Sequence, residues 1–128
     1  ILHGDYDFLR EREESLCRIF YHESVTNEMR PKVIVDYERV PFALEIGDVR
    51  VTFDSRIREA AMLGDLFDKA LPAWDVMGSK ELIMEVKYTE LLPDYVRDIL
   101  VSQEAEYVAA SKYVMCCEHK MERLGMLI

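Results

Sequence analysis

The sequence has 128 residues, half of them hydrophobic, which is enough for one domain with a core of its own but short for two. Its formal net charge of -9 argues against a broad surface for nucleic acid or anionic membranes, because such surfaces carry an excess of positive charge. The 16 lysines and arginines can still be gathered in a local basic pocket.

The cellular compartment is predicted from what the sequence lacks. No apolar run approaches the ~20 residues of a membrane span, and no signal peptide is recognisable. Of the three cysteines, Cys116 and Cys117 are adjacent, so a disulfide framework is not expected. We therefore expect a reducing, cytoplasmic location and no membrane segment in this chain.

The chain is predicted to begin with one helix and a strand. Apolar residues recur at helical spacing from Asp7 to about residue 28. The segment Lys32–Arg39 is rich in β-branched and aromatic residues, which favour a strand. Pro41 is expected to interrupt this strand with a bend, before a short strand over Phe42–Ile46.

Two more strands are predicted around an irregular middle. Val49–Asp54 alternates apolar and polar residues, which is typical of a half-buried strand. Residues 56–63 fit either a helix or an extended segment, and prolines and glycines beyond them predict a loop in which Trp74 packs. Leu82–Tyr88 is the next predicted strand.

Two helices are predicted at the end of the chain. Apolar residues recur at helical spacing from Leu91 to Leu100, with Pro93 in the first turn. Ser111 is expected to cap the last helix. The buried stripe of that helix is expected to consist of four residues, Val114, Cys117, Met121 and Leu124. This order of elements predicts an α+β fold with an antiparallel sheet.

The sequence lacks the common motifs of phosphate cradles and hydrolases. It contains neither G-x-x-x-x-G-K-[ST] nor G-x-G-x-x-G, and with five glycines a cradle of backbone amides is not expected. It contains no G-x-S-x-G elbow, and no histidine pairs with another histidine or a cysteine at a typical zinc-ligand spacing. Chemistry must therefore be sought in the charged faces of the predicted strands.

Charged side chains lie on one face of each predicted strand. Arg50 and Lys87 lie on strands with an apolar opposite face, Arg39 ends the first predicted strand, Lys112 opens the last helix, and Glu85 shares the face of Lys87. One interpretation is an ordinary solvated surface. The other is that these faces converge, so that four cations and one carboxylate bind a polyphosphate with a bridging metal. Spacing alone leaves both interpretations open.

Three further polar residues accompany these charges. Thr52 and Asp54 share the predicted face of Arg50, so we expect them to orient its side chain. Tyr37 shares the face of Arg39 and is expected to pack, with its hydroxyl within reach of a phosphate oxygen as the alternative.

Four stretches of the sequence resemble a known family. They are PKVIVDYERVPF, VRVTFD, LIMEVKYTELLPDYVRDIL and SKYV. In this order and at these intervals they are similar to the second half of a VTC domain, named after the vacuolar transporter chaperone and found in bacterial polyphosphate polymerase domain proteins. The resemblance covers about residues 9–117, nearly the whole chain.

The resemblance implies a fold and an activity. VTC domains belong to the triphosphate tunnel metalloenzyme superfamily, in which an antiparallel β-barrel flanked by helices encloses a basic tunnel. The eukaryotic polymerases transfer the terminal phosphate of ATP to a growing polyphosphate chain and use Mn²⁺ or Mg²⁺. The resemblance thus implies part of such a barrel, with ATP or another triphosphate and polyphosphate as partners. Nucleic acid is not expected as a partner, because the net charge is -9.

The resemblance also implies roles for single residues. Arg39 of YER and Arg50 of VRVTFD are similar to phosphate-binding arginines, and Glu85 of MEVKY to the metal-binding glutamate. Lys87 of the same block and Lys112 of SKYV resemble tunnel lysines, and they are the candidates for both substrate binding and catalysis.

The chain departs from the family in length. A VTC domain is considerably longer, and the motifs of its first half have no counterpart here. We therefore expect residues 1–128 to be the C-terminal part of one such domain, inactive by itself and prone to self-association through unpaired sheet edges. A polymerase, a phosphohydrolase of tripolyphosphate or nucleoside triphosphates, and a non-catalytic polyanion-binding scaffold all stay open.

Overall fold

The computed structural model describes residues 4–63, 65–101 and 105–126. Its elements are, in chain order, α1 (Asp7–Arg10), α2 (Ser15–Thr26), β1 (Ile34–Leu44), a 3₁₀ turn (Ile46–Asp48), β2 (Val49–Ala60), β3 (Ala73–Asp75), β4 (Leu82–Lys87), α3 (Asp94–Val101) and α4 (Lys112–Arg123). The four strands form one antiparallel sheet, so the predicted mixed fold with an antiparallel sheet is confirmed.

The single helix predicted from Asp7 onward is in fact two helices. The break falls at residues 11–14, which comprise three glutamates and one arginine. Glutamates at positions 11 and 14 would lie one turn apart in a continuous helix, where like charges destabilise it. The second helix ends at Thr26, and Glu28 takes a left-handed φ of +50° that no helix can continue.

The predicted interruption at Pro41 is wrong. β1 runs without a break from Ile34 to Leu44, and Pro41 pairs with Thr52 of β2. Among the described strands β1 pairs with β2 alone, so it lies at an edge of the sheet. An edge strand tolerates proline, because an N–H that points away from the sheet has no ladder partner to lose.

β2 is the central strand and is longer than predicted. It continues to Ala60, so the extended alternative for residues 56–63 is correct as far as that residue. β4 pairs with its first half and β3 with its last three residues, both along the edge opposite to β1. β2 therefore fixes the register of every other described strand.

A β-bulge near the middle of β2 changes which side chains face which way. Arg56 and Ile57 lie opposite a single residue of β1, Tyr37, and Arg56 takes a left-handed φ of +52°. The extra residue reverses the alternation of side chains. As a result Asp54 and Glu59, which a regular strand would turn to opposite sides, both lie on the same face of the sheet.

The two faces of the sheet differ in chemistry. On the apolar face, Val49 and Val51 of β2 pack against Val96 of α3. Partly buried apolar side chains surround this core: Leu44, Phe53, Met84, Val86, Leu92 and Leu100. The opposite face, here called the charged face, is covered at one end by α4. It carries the side chains of Arg39, Arg50, Thr52, Asp54, Glu85 and Lys87. Asp36 and Arg58 are charged as well, but they pair with each other on the apolar side of the sheet.

The last helix has its predicted cap but not its predicted orientation. Ser111 Oγ accepts a hydrogen bond from the Val114 N–H at 3.4 Å, as a capping serine should. The predicted apolar stripe is wrong, because Val114, Met121 and Leu124 are exposed. The residues of α4 that lie toward the sheet are mostly polar: Lys112, Met115, Cys116, His119, Lys120 and Arg123.

The sheet of the described residues is open. β1, β3 and β4 each pair with β2 and with no other described strand, so these four strands do not close into a barrel. None of the described helices is long and apolar enough to cross a membrane.

Candidate functional site

The structure gathers all five predicted site residues on the charged face. The register pairs Arg50 with Lys87 and Thr52 with Glu85 across β2 and β4. It also pairs Arg39 of β1 with Asp54 of β2. Directly paired residues of antiparallel strands point to the same side, and Lys112 reaches this side from the first turn of α4. Side chains from three strands and one helix therefore meet around one patch.

Asp54 lies at the centre of this patch and is fully buried. Its carboxylate accepts hydrogen bonds from Arg39 Nε and Nη2 at 2.6 and 2.7 Å, and Lys112 Nζ lies 2.6 Å from Oδ2. The hydrogen bonds from Arg39, reinforced by Lys112, lower the pKa of Asp54 from 3.8 to about 2 against the opposing effect of burial. Asp54 is thus ionised and binds two cations, Arg39 and Lys112.

This arrangement corrects the expectation that Asp54 and Thr52 orient Arg50. Asp54 binds Arg39 and Lys112 instead, because those two side chains approach it from the neighbouring strand and from α4. Thr52 Oγ1 is buried with no hydrogen-bond partner among the described residues. Arg50 lies at the rim, 3.4 Å from Asp48 Oδ1.

Tyr37 is a member of the site whose place sequence reasoning left open. Its ring centroid lies 5.3 Å from the Arg39 guanidinium and 5.3 Å from Lys112 Nζ. Both distances are within the range of cation–π attraction. The alternation of β1 already placed Tyr37 on the face of Arg39, but only the position of α4 shows that the ring contacts two cations.

Glu85 lies between cations. Its Oε1 is 2.9 Å from Lys87 Nζ, and its Oε2 is 3.9 Å from Arg39 Nη2. The hydrogen bond from Lys87 lowers the pKa of Glu85, so the carboxylate is ionised at neutral pH. A cavity of about 150 Å³ lies beside it, lined by Lys112, Val108 and Ala110 among others.

The described residues do not form a metal site by themselves. No group of three or more His, Cys, Asp or Glu side chains comes together among them. Asp54 is buried and already binds two cations, which leaves Glu85 as the accessible carboxylate between the strands of the patch. One carboxylate fits a Mg²⁺ or Mn²⁺ ion that arrives with phosphate oxygens, because such ions are commonly held by one or two carboxylates together with the substrate.

Arg50 and Lys87 are the open cations of the site. Their side chains are 67% and 70% exposed, and the register places them directly opposite each other. Like charges in this arrangement destabilise a sheet. An anion bound between them would remove this repulsion.

Comparison with known proteins identifies the family of the chain. No curated protein and no solved structure gives a significant match. The family model described as VTC domain matches residues 1–120, which include all the described strands and all five predicted site residues. The chain therefore belongs to the VTC domain family.

Proposed function

We propose that the charged face binds triphosphate and polyphosphate, and that the domain uses it to transfer the terminal phosphate of a nucleoside triphosphate to a polyphosphate chain. The observation that carries this proposal is the convergence of four cations on one open patch. The patch contains four cations, Arg39, Arg50, Lys87 and Lys112, and two carboxylates, Asp54 and Glu85. Its net charge is therefore +2, or +1 when Asp48 at the rim is included. The protein as a whole is strongly acidic, with a net charge of -9.

Asp54 prepares two of these cations for a phosphate without consuming them. Arginine has five N–H donors and lysine three, and Asp54 occupies two of Arg39 and one of Lys112. The remaining donors are held in place by the carboxylate and by the ring of Tyr37. Phosphoryl transfer requires such positioning and a preorganised positive field more than covalent chemistry by the protein.

A divalent metal is part of this proposal. Glu85 would hold Mn²⁺ or Mg²⁺ together with phosphate oxygens of the ligand, and the bound metal would neutralise phosphate charge. Lys87, which lies 2.9 Å from Glu85, is then free to exchange its carboxylate partner for a phosphate oxygen. Lys87 and Lys112 are the proposed catalytic residues, as cations that touch the transferred group.

Calorimetry with tripolyphosphate tests the binding site. In the presence of Mn²⁺ we expect a Kd on the order of micromolar, weaker at higher salt because exposed charges are screened. Arg50→Ala and Lys87→Ala should each weaken binding about tenfold or more, the loss typical of a charge-assisted hydrogen bond.

Matched controls separate this site from nonspecific attraction. Lys80→Ala and Arg97→Ala remove exposed cations that lie outside the charged face, and binding should be unchanged. Equal losses in the control and site variants, or no binding by the unaltered chain, would contradict the proposed site.

Product analysis separates the activities. With ATP, polyphosphate and Mn²⁺, growth of the chain supports a polymerase and release of free phosphate supports a phosphohydrolase. Tight binding without turnover supports a polyanion-binding domain, or a chain that needs further strands for the reaction.

We further propose that the charged face is one wall of a tunnel in the cytoplasm. Its outer strands have unpaired edges among the described residues, and these edges can accept strands from another segment or from a second copy. Either partner would enclose the patch and reduce its exposure to water, which strengthens charge–phosphate interactions.

A further inference from the structure

A second buried carboxylate of β2 lies beneath the far end of α4. Glu59 is 1% exposed and accepts hydrogen bonds from Arg123 Nε and Nη2 at 3.1 and 3.0 Å. His119 Nδ1 lies 3.4 Å from its Oε2. The Arg123 guanidinium also stacks on Trp74, 3.8 Å from the ring centroid, and Trp74 is the partner of Glu59 across β2 and β3.

The helix is therefore fixed at both ends by buried charge. Lys112, its first residue, binds Asp54, and Arg123, its last residue, binds Glu59. The bulge of β2 is what brings both carboxylates to the same face. Between the two ends, Cys116 is the one fully buried residue of α4, with its Sγ donating to the Arg58 carbonyl at 3.6 Å.

With so little apolar burial, the tilt of α4 depends on its polar contacts. They lie near its two ends and include a hydrogen bond from Lys120 Nζ to the Lys32 carbonyl at 2.6 Å. The 11 steps from Lys112 to Arg123 span about 16 Å at 1.5 Å per residue, so a 10° tilt about one end moves the other by about 3 Å. Lys112 Nζ now lies 2.6 Å from Asp54 Oδ2. A displacement of about 3 Å would break this contact. A buried ion pair is seldom more stabilising than an apolar pair of the same size, so stability alone is a weak reason for it.

We propose that Glu59, Arg123 and Trp74 act as a remote anchor that positions Lys112 for phosphate binding. This inference rests on the proposed role of Lys112 in the phosphate site. The three anchor residues are positioning residues, because they act through α4 and touch no part of the charged patch around Asp54.

A double-mutant cycle tests the anchor in the full chain. Arg123→Lys keeps the charge but loses the two-pronged hydrogen bond and the stacking on Trp74. We expect it to weaken tripolyphosphate binding about five- to tenfold, and to have little further effect when Lys112 is already replaced by Met. The same loss in both backgrounds would show a merely structural role and overturn the proposal.

A milder variant and a matched control accompany this cycle. Trp74→Leu removes the ring beneath the guanidinium but leaves both hydrogen bonds, so it serves if Arg123→Lys does not fold. Arg97→Lys changes an arginine of α3 that pairs with Asp94, and tripolyphosphate binding should stay as it is.

A ligand-independent measurement distinguishes failure of the anchor from failure of the phosphate site. The ¹⁵Nζ resonance of Lys112 reports its ion pair with Asp54 in the free protein, and Lys80 provides the reference. Movement of the Lys112 resonance in Arg123→Lys supports the anchor even if tripolyphosphate does not bind. An unchanged resonance in a folded variant would overturn the proposal.

Discussion

Asp54 stays ionised although it is buried, because two cations compensate for the hydration that its carboxylate loses on burial. Its carboxylate is 0% exposed, yet Arg39 and Lys112 hold its pKa at about 2. A carboxylate whose pKa is lower in the folded state contributes stability above its usual pKa of 3.8, and the contribution disappears as the pH falls through about 2.

Replacing Asp54 by asparagine should therefore have a pH-dependent effect. At pH 6 we expect Asp54→Asn to lower the free energy of unfolding by about 2–3 kcal/mol, because two cations lose their partner. The difference from the unaltered chain should shrink as the pH approaches 2. Urea unfolding at several pH values measures it.

Asp94 provides the control at this scale. Its side chain is 87% exposed in a pair with Arg97, and Asp94→Asn should change stability by less than about 0.5 kcal/mol. A loss for Asp54→Asn that stays constant from pH 6 to pH 2 would contradict the assignment of the low pKa to this carboxylate.

At the scale of elements, Gly47 lies in the turn between β1 and β2 and allows this turn to pack closely on the segment that leads into α3. Its φ is +78°, and a Cβ at this position would lie 2.6 Å from the Leu91 carbonyl oxygen. Gly47→Ala should therefore lower the free energy of unfolding by more than about 1 kcal/mol, through both the strained φ and the clash. Thermal unfolding measures the loss.

Gly125 separates the two causes. Its φ is +69°, but a Cβ there would meet nothing within 4 Å. Gly125→Ala should show the conformational cost alone and lose less stability than Gly47→Ala. Equal losses would show that the contact with Leu91 is relieved by a small backbone shift.

The helix α4 was predicted correctly, but the side of it that packs on the sheet was predicted wrongly. Its helical spacing and its cap at Ser111 are local and were predicted. Hydrophobicity placed Val114 and Met121 toward the sheet, but the sheet surface beneath α4 carries the buried carboxylates Asp54 and Glu59. Buried carboxylates need cationic partners, so the cationic side of α4 packs on the sheet and its apolar side does not.

At the scale of the whole molecule, unpaired edges predict association. β1 presents a free edge over 11 residues among the described strands. We expect sedimentation equilibrium to show dimers or larger species at high micromolar concentration. Added salt should strengthen this association, because the net charge of -9 makes copies repel each other.

Two lysine substitutions locate the contact. Val40→Lys places a charge on the exposed part of β1 and should favour the monomer. Leu16→Lys changes an even more exposed apolar residue, which lies on α2, and should have no effect. A clean monomer of the unaltered chain, or dissociation by Leu16→Lys instead, would contradict association through the strand edge.

The predicted site residues converged because their common face follows from local alternation. Arg50 and Lys87 each lie on a strand with a period of two, and that period is written in neighbouring residues. The partners of Asp54 could not be predicted in this way, since one comes from the adjacent strand and the other from a distant helix. A signal existed, however, because aspartate is rare in strands and Asp54 stands in one.

The sequence by itself determined the types of most elements, the charged and apolar faces of β4 and of the first half of β2, and the membership in the VTC domain family. These depend on periodicity, composition and order along the chain. Only the tertiary structure decided the continuity of β1 through Pro41, the bulge at Arg56, and the anchoring of α4 on two buried carboxylates. These depend on which strand lies beside which and on what a helix covers, and such contacts join residues that are far apart in the sequence.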